Sequence, residues 1–585
     1  MFINNSLWSF TLVSQFYRLG VRHFCVAPGS RSAALSLALF RLKKQHSDLY
    51  IHTHFDERGL GFFALNLAKV NAAAVVVVTT SGTAVANLYP AVIEAYETRV
   101  PLLVVSADRP DRLLNCGANQ AIAQKNLFNH YVRLNLNFTL PDTSAGLTKQ
   151  LDAMAKLFSE VDAIGPAQIN CQFDEPLYPS EMPPCDFAAA ELNEFSQTPD
   201  LIGMAKFPSD SYRNGDRYTD GDSDKSIAEL QQKLRDSSNC LVVLGGLTPA
   251  QYRQLYPWLA ELSGLVIADV TSQFRFEGLP NILHYADLLL AKGINRETFH
   301  PDLILQFGGR LVSKRLSQWL AEICSDYCIV LEAHQNLDPT GRANRYTLDY
   351  SRWVDRIDTR DVACSYDQVN ALLANNREMQ QWIKIQLQLS WHEASICYRV
   401  ATELVGRNAV FAGNSLAIRM LDSFSAPTNV DTRISVFSNR GASGIDGLLA
   451  SAAAIGYGDY DCCVAFVGDT SFLHDINSLA LIAKSPAPLK IIVLNNDGGG
   501  IFSLLPASEE ESFETLFLMP HGREFNDAAR LFGIAYQRAD SIKQLNRILP
   551  NIMAQPGAAI LECVIPQGTG TTQLKALLAE LKLAV

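Results

Sequence analysis

VAFVGDTSFLHDINSLALIAKSPAPLKIIVLNNDGG, Val464 to Gly499, decides the fold. Its β-branched run ends in a turn at Gly468-Asp469, a helical stretch (INSLALIAK) follows, and the run beginning at Leu489 ends in Asn495-Asn496-Asp497-Gly498-Gly499. Strand, glycine turn, helix and strand make a βαβ unit, and such units pack around a parallel sheet. The same order occurs earlier, in Val75–Pro110: VVVVTTSGT, a helix with NLYPAVIEAY, then VPLLVVSADRP. Gly82 to Pro101 spans 19 positions and Gly468 to Pro488 spans 20. Two echoed units predict a duplicated domain, each with a strand ending where a helix N-terminus can meet an anion. Convergence on a common βαβ plan would leave the same echo.

Between the copies, CLVVLGG (Cys240–Gly246) and LILQFGG (Leu303–Gly309) each run a strand into a glycine pair, as in half of a nucleotide-binding fold. Such pairs either receive a dinucleotide or only permit a tight turn and close helix packing. The chain therefore reads as α/β, with three domains on parallel sheets. Two similar outer domains, 1–185 and 366–585, flank a middle Rossmann-like domain, 227–365, and residues 186–226 form a linker. Within it Phe207–Ser226 (FPSDSYRNGDRYTDGDSDKS) is too polar to bury a core. Its Asp220, Asp222 and Asp224 imitate a calcium loop, but Lys225 stands where the glycine belongs and Gln231 where the last acid belongs.

Composition excludes several classes. With 585 residues, 48% hydrophobic and 19% charged, the chain can bury several cores. A formal charge of -11 opposes binding to nucleic acid or an anionic membrane, since both need a basic surface. The N-terminus MFINNSLWSFTLVSQFYRLGVRHF has no basic leader and reads as an amphipathic helix, and the longest aliphatic stretch, Ala72–Val78, is too short to span a bilayer. The 12 cysteines are scattered with no CxxC pair, so a soluble cytoplasmic protein with reduced thiols is expected.

The second copy carries hard oxygen donors. Gly468 turns the chain tightly off its strand, and the amides of the next helix face any phosphate there. Asp469, Asn496 and the Gly498 carbonyl would hold Mg²⁺ beside a diphosphate. Gly468-Asp469-Thr470, 24 residues, then Asn495-Asn496 resembles the thiamine-diphosphate motif, with Thr470 replacing its usual last glycine. That resemblance implies thiamine diphosphate and Mg²⁺, for which Mn²⁺ may substitute, and makes both outer domains cofactor-binding. It also requires a carboxylic acid against the aminopyrimidine. Glu57, in HTHFDERGLGFFALNLAK, is the candidate: most ERG triplets are a surface glutamate beside an arginine, but this one precedes a helix with glycines and Ala64, small enough for close packing, and lies before the echoed strand.

Eight stretches narrow the resemblance. APGSRSAALSLAL (Ala27–Leu39), HTHFDERGLG (His52–Gly61), TSGTAVANLYPAVIEA (Thr80–Ala95), SADRP with CGANQAI (Cys116–Ile122), SNRGASGIDGLL (Ser438–Leu449), GGIFSLLP (Gly499–Pro506) and, more weakly, SKRLSQW (Ser313–Trp319) resemble the SEPHCHC synthases of menaquinone biosynthesis. Members decarboxylate 2-oxoglutarate and add the succinyl carbanion equivalent to isochorismate. The resemblance implies that Arg31, Arg109, Lys314, Arg315, Arg419 and Arg440 meet substrate carboxylates, for which the guanidinium fork is suited. Ser30, Asn119, Gln120 and Ser415 would orient hydroxyl and carboxylate groups. Ser415, Ile445, Thr470, Ser471, Gly498, Ile501 and Phe502 would touch the cofactor, with Ile445 as an apolar wedge or else ordinary core. A homodimer or homotetramer is implied. An acetolactate synthase-like enzyme and a non-catalytic relative are the rival readings; small monoacids would leave so many motif arginines unexplained.

Overall fold

The computed structural model describes residues 4–140, 144–178, 223–293, 299–323, 325–333, 335, 337–427 and 432–583. Three six-stranded parallel sheets organise them. The first contains β1 His23–Val26, β2 Tyr50–Thr53, β3 Val75–Thr79, β4 Leu102–Asp108, β5 Leu134–Phe138 and β6 Ala167–Gln172, in the order β2-β1-β3-β4-β6-β5. The second contains β7 Cys240–Leu244, β8 Leu265–Ala268, β9 Ile282–Leu283, β10 Leu303–Phe307, β11 Asp326–Leu331 and β12 Asn344–Thr347, in the order β12-β11-β10-β7-β8-β9. The third contains β13 Arg407–Ala412, β14 Arg433–Phe437, β15 Cys462–Gly468, β16 Leu489–Asn495, β17 Ala535–Ala539 and β18 Ala558–Val564, in the order β14-β13-β15-β16-β18-β17. First and third sheets follow one permutation, so the echo is a shared topology in which β3 matches β15 and β4 matches β16.

The middle sheet has the doubly wound nucleotide-binding order, and its glycine pairs lie where that order reverses, between β7 and β10. They meet each other there. Gly309 N donates to Gly246 O at 2.8 Å, and a Cβ on Gly245 would stand 2.1 Å from Gly309 O. The crevice that takes a dinucleotide in such sheets is filled by the chain's own backbone, so the pairs serve turning and close packing.

The described residues form two compact units: those from 4 to 178 with Asn439–Gly458 and His474–Ser485, and those from 223 to 438 with Asp459–Leu473 and those from 486 to 583. In the first unit, the helix Glu57–Asn71 packs against the all-buried helix Leu448–Ile455, whose alanines and serine admit close approach. Asn66 Nδ2 ties the pair by donating to Ser451 Oγ at 2.8 Å and Asn439 Oδ1 at 3.0 Å. The second unit joins the middle and third sheets. Gln273 exchanges two hydrogen bonds with the Val436 backbone, at 2.7 and 2.9 Å, and Arg275 reaches Asp422 at 2.6 Å.

Helix Tyr366–Leu387 follows the middle sheet in the chain and lies within the second unit. Helix Ser223–Asp236 begins inside the last residues of the expected linker; residues 207–222, with Asp220 and Asp222 of the calcium-like run, lie outside the described residues. The N-terminal helix is Asn5–Arg18, capped by Asn4. Among the described residues no helix is long and apolar enough to cross a membrane.

Arg275 and Asp422 are each 4% exposed at the side chain, so removing one partner leaves a buried uncompensated charge. Arg275→Met should therefore destabilise the second unit by about 3–5 kcal/mol, and Arg275→Met with Asp422→Leu should recover most of the loss. Calorimetric unfolding checks this; a single variant melting with the wild type would remove the pair from the stabilising set.

Candidate active site

The candidate residues of the N-terminal sheet follow the carboxyl ends of the adjacent strands β2-β1-β3-β4. That is where an open parallel sheet builds its sites, because the strand's last carbonyls and the next helix's first amides converge there. Ser30 and Arg31 follow β1, Glu57 follows β2, Ser81 follows β3 and Arg109 follows β4. Glu57 opens the helix Glu57–Asn71 and is half-buried, with Asp56 as the cap accepting from Arg58 N and Gly59 N at 3.1 and 3.4 Å. Arg58 points elsewhere, donating to His474 O at 2.7 Å, so the ERG triplet is no simple surface ion pair between neighbours.

Arg31 and Arg109 are both buried. Arg109 Nη1 donates to Ser81 Oγ and to Gln120 O, the latter at 2.8 Å. Arg31 Nη1 donates to Phe173 O at 2.9 Å, its Nη2 lies 3.8 Å from exposed Glu175, and its buried Nε has no partner. Burial, and then the like charge of Arg31, pull the Arg109 guanidinium below its usual pKa. Two guanidiniums held this way favour an anion between them. Ser30, Asn119 and Gln120 are exposed beside them, Gln120 with a left-handed backbone (φ 52).

Arg440 and Ile445 lie on the segment between β14 and the helix Leu448–Ile455. One buried carboxylate anchors that segment: Glu94 accepts from Gly441 N at 2.8 Å and Ala442 N at 2.6 Å, with Lys69 Nζ 3.8 Å away. Ile445 is 38% exposed, which separates it from ordinary core and leaves it available as a wedge.

The second unit repeats the plan at the ends of β13, β15 and β16, which are adjacent. Ser415 turns the chain with φ 72 into helix Leu416–Phe424, and Arg419 Nη1 donates back to Ser415 O at 2.8 Å. Asp469, 1% exposed, opens helix Asp469–His474. Its Oδ2 accepts from Gly498 N at 2.9 Å and its Oδ1 from Thr470 N at 2.6 Å. Gly498 has φ 126 and a Cβ there would stand 2.1 Å from Leu518 O, so only glycine can occupy this turn. Ser471 is buried, Thr470 exposed, Ile501 half-buried and Phe502 37% exposed.

These residues fit a divalent cation. Among the described residues no lysine or arginine lies within ion-pair distance of Asp469, and the nearest cationic group is His521, whose Nε2 is 3.3 Å from Oδ2. A second buried carboxylate, Glu393, accepts from Asn496 Nδ2 at 2.6 Å. Burial and the Asp469 charge push the Glu393 carboxyl above its usual pKa, against the Asn496 hydrogen bond. Two buried carboxylates with His521 but no lysine or arginine alongside among the described residues, beside an amide oxygen and a glycine carbonyl, make a hard-oxygen donor set short of positive charge.

Lys314 is exposed at the start of helix Lys314–Glu322. Arg315 Nη1 meets Asp287 Oδ2 at 2.6 Å, and the same oxygen accepts from Ser423 at 3.0 Å near the end of Arg419's helix. Sequence reasoning missed Glu94 and Glu393. Both were findable: Glu94 falls in register with buried Ala91 and Ala95, and Glu393 with buried Ile396, Cys397 and Val400, so each sits on a helix's apolar face.

Three family models match the chain: "Thiamine pyrophosphate enzyme, N-terminal TPP binding domain" over residues 10–127, "Middle domain of thiamine pyrophosphate" over 215–412, and "Thiamine pyrophosphate enzyme, C-terminal TPP binding domain" over 436–563. Among curated proteins it is 36% identical over 582 residues to the 2-succinyl-5-enolpyruvyl-6-hydroxy-3-cyclohexene-1-carboxylate synthase of Shewanella loihica, covering 99% of this chain and 98% of that one. The proteins of the same name from Psychromonas ingrahamii (37%; 92% and 90% covered) and Vibrio vulnificus (36%; 98% and 97%) are similarly related. Benzoylformate decarboxylase from Polynucleobacter necessarius shares the fold, with TM-score 0.64 at 15% identity over 96% of this chain and 98% of that one.

Glu94→Ala would remove the acceptor of the part-buried Gly441 and Ala442 amides, at a cost of about 0.5–1.5 kcal/mol per hydrogen bond. Hydrogen exchange should then quicken at Gly441 and Ala442 before the rest of the unit opens. Unchanged protection at both amides would show that Glu94 does not hold the segment carrying Arg440 and Ile445.

Proposed function

The chain belongs to the 2-succinyl-5-enolpyruvyl-6-hydroxy-3-cyclohexene-1-carboxylate (SEPHCHC) synthase family, and on that premise we propose that it decarboxylates 2-oxoglutarate and adds the succinyl unit to isochorismate. It is a thiamine-diphosphate-dependent transferase. When bound, thiamine diphosphate supplies a nucleophilic thiazolium carbon and the electron sink that lets the 2-oxo acid release CO₂. Everything else is the work of side chains.

Glu57 would share a proton with the aminopyrimidine, making its amino group basic enough to activate the thiazolium carbon. Asp469, Asn496 and the Gly498 carbonyl would hold Mg²⁺, or Mn²⁺ in its place, and that ion would neutralise the diphosphate. Thr470 and Ser471 open the helix whose amides would face the diphosphate. Ile445 supplies the apolar wedge, while Ile501 and Phe502 would exclude water from the reacting carbon. The observation that carries the substrate reading is the pair of buried arginines, Arg31 and Arg109: desolvated like charges are stabilised by a carboxylate, and both substrates are dicarboxylates. Arg419 and Arg440 would add further carboxylate partners, and Ser30, Asn119, Gln120 and Ser415 would orient hydroxyl groups. Lys314 and Arg315 would act from the edge of the middle domain.

The working form is a homodimer or homotetramer in the cytoplasm. Leu37 and Phe40, 42% and 57% exposed on one helix, and Phe55, 60% exposed two residues before Glu57, are apolar surface of the kind subunit contacts cover.

Glu57→Gln keeps size and a hydrogen bond but cannot share the proton, so turnover should fall roughly 10² to 10⁴-fold with cofactor still bound. Steady-state assays at wild-type rates would take Glu57 out of the chemistry.

With thiamine diphosphate, Mg²⁺ and 2-oxoglutarate, CO₂ release should be slow alone and much faster with isochorismate, while pyruvate should be poor in both settings. Arg109→Ala should weaken isochorismate use by about 2–5 kcal/mol, with a smaller effect on the 2-oxoglutarate half-reaction. Mass spectrometry decides: acetolactate from pyruvate, with no succinyl adduct of isochorismate, would overturn the substrate reading.

A further inference from the structure

Glu393 is a carboxylate 3% exposed, at the first position of helix Glu393–Ala401, with the His392 side chain accepting from Ser395 N as the cap. Its Oε1 accepts from Asn496 Nδ2 at 2.6 Å. Its Oε2 faces the first turn of the last helix, Thr569–Leu583, where a Cβ on Gly570 would stand 2.5 Å away. The carboxylate is thus enclosed, and among the described residues no lysine or arginine lies within ion-pair distance of it.

A carboxylate buried this deeply, whose side-chain hydrogen-bond partner is one neutral amide, is an unfavourable group in isolation. It becomes favourable beside a cation. Asn496 has one amide nitrogen and one oxygen; with the nitrogen committed to Glu393, the amide has a single orientation and its oxygen is turned away from the carboxylate. Where a carboxylate accepts from a ligand's far side, it fixes that ligand's rotamer and raises its basicity.

We propose that Glu393 is a positioning residue for the divalent cation: its hydrogen bond fixes Asn496 with the amide oxygen presented as a ligand, and its charge supplements that of Asp469. The inference rests on the Mg²⁺ reading of Asp469, Asn496 and Gly498. Glu393 itself does not touch substrate or cofactor.

Mg²⁺ titration of thiamine-diphosphate binding tests it, using full-length protein freed of metal with EDTA and followed by tryptophan fluorescence, for which Trp391 lies two residues from Glu393. Glu393→Ala should raise the half-saturating Mg²⁺ roughly 10- to 100-fold, the usual effect of removing an outer-shell partner. Glu393→Gln preserves volume and an oxygen acceptor but removes the charge, and should raise it about tenfold; it decides the matter if Glu393→Ala does not fold. A purely structural role would lower the melting temperature of the metal-free protein and leave the Mg²⁺ midpoint in place. Midpoints within threefold of wild type in the folded variants overturn the proposal alone. Thiamine-diphosphate binding by the wild type without any divalent cation overturns the Mg²⁺ reading and this proposal with it.

Discussion

A strand buried on both faces must end where its last carbonyls and the next helix's first amides find partners, and every candidate site in this protein occupies such an end. β3 and β15 are the central cases, with Val75–Thr79 and Cys463–Val467 wholly buried. Neither strand can run on, so a glycine turn follows each: Ser81-Gly82 after β3, Gly468-Asp469 after β15. The polar groups exposed by that turn are then satisfied by side chains from neighbouring strand ends, which brings Arg109 to Ser81 and Gly498 to Asp469. Remove the turn and neither cluster has a reason to assemble.

The two clusters are opposite in sign. Arg31 and Arg109 concentrate positive charge on two buried side chains, whereas Asp469 and Glu393 concentrate negative charge with no lysine or arginine alongside among the described residues. Each arrangement is unfavourable until something of the opposite charge arrives. Stability is given up locally and recovered on binding, as expected where a site is built before its ligand. A carboxylate substrate suits the first cluster, and a hard cation with a diphosphate suits the second.

Much of this was legible in the residues. β-branched runs such as VVVV and IIVL, each followed by a glycine or asparagine turn, announce strand ends, and Asp469 and Asn496 stand at those ends. Arg31, Arg109 and Gln120 were legible as members of motifs, though their convergence needed the strand order β2-β1-β3-β4, which no local pattern encodes. The middle glycine pairs were ambiguous because a glycine after a strand admits a ligand and another backbone equally well; here Gly309 occupies the space. Glu94 and Glu393 went unseen because a single acid in a helix is ordinary surface by composition. Only their register on an apolar face distinguishes them, and that register gains meaning once their partners, Gly441, Ala442 and Asn496, are brought across 347, 348 and 103 positions of sequence.

The first compact unit is not a contiguous piece of chain. Helix Leu448–Ile455, which packs on Glu57–Asn71, and the stretch His474–Ser485, whose first residue accepts from Arg58, belong to it but are made nearly three hundred residues after β6. During synthesis the N-terminal sheet therefore emerges with the apolar face of Glu57–Asn71 uncovered, and at about 5–20 residues per second it waits many seconds for its covering helix. A gene dissected at the domain boundaries of the sequence would release a first fragment lacking part of its own core.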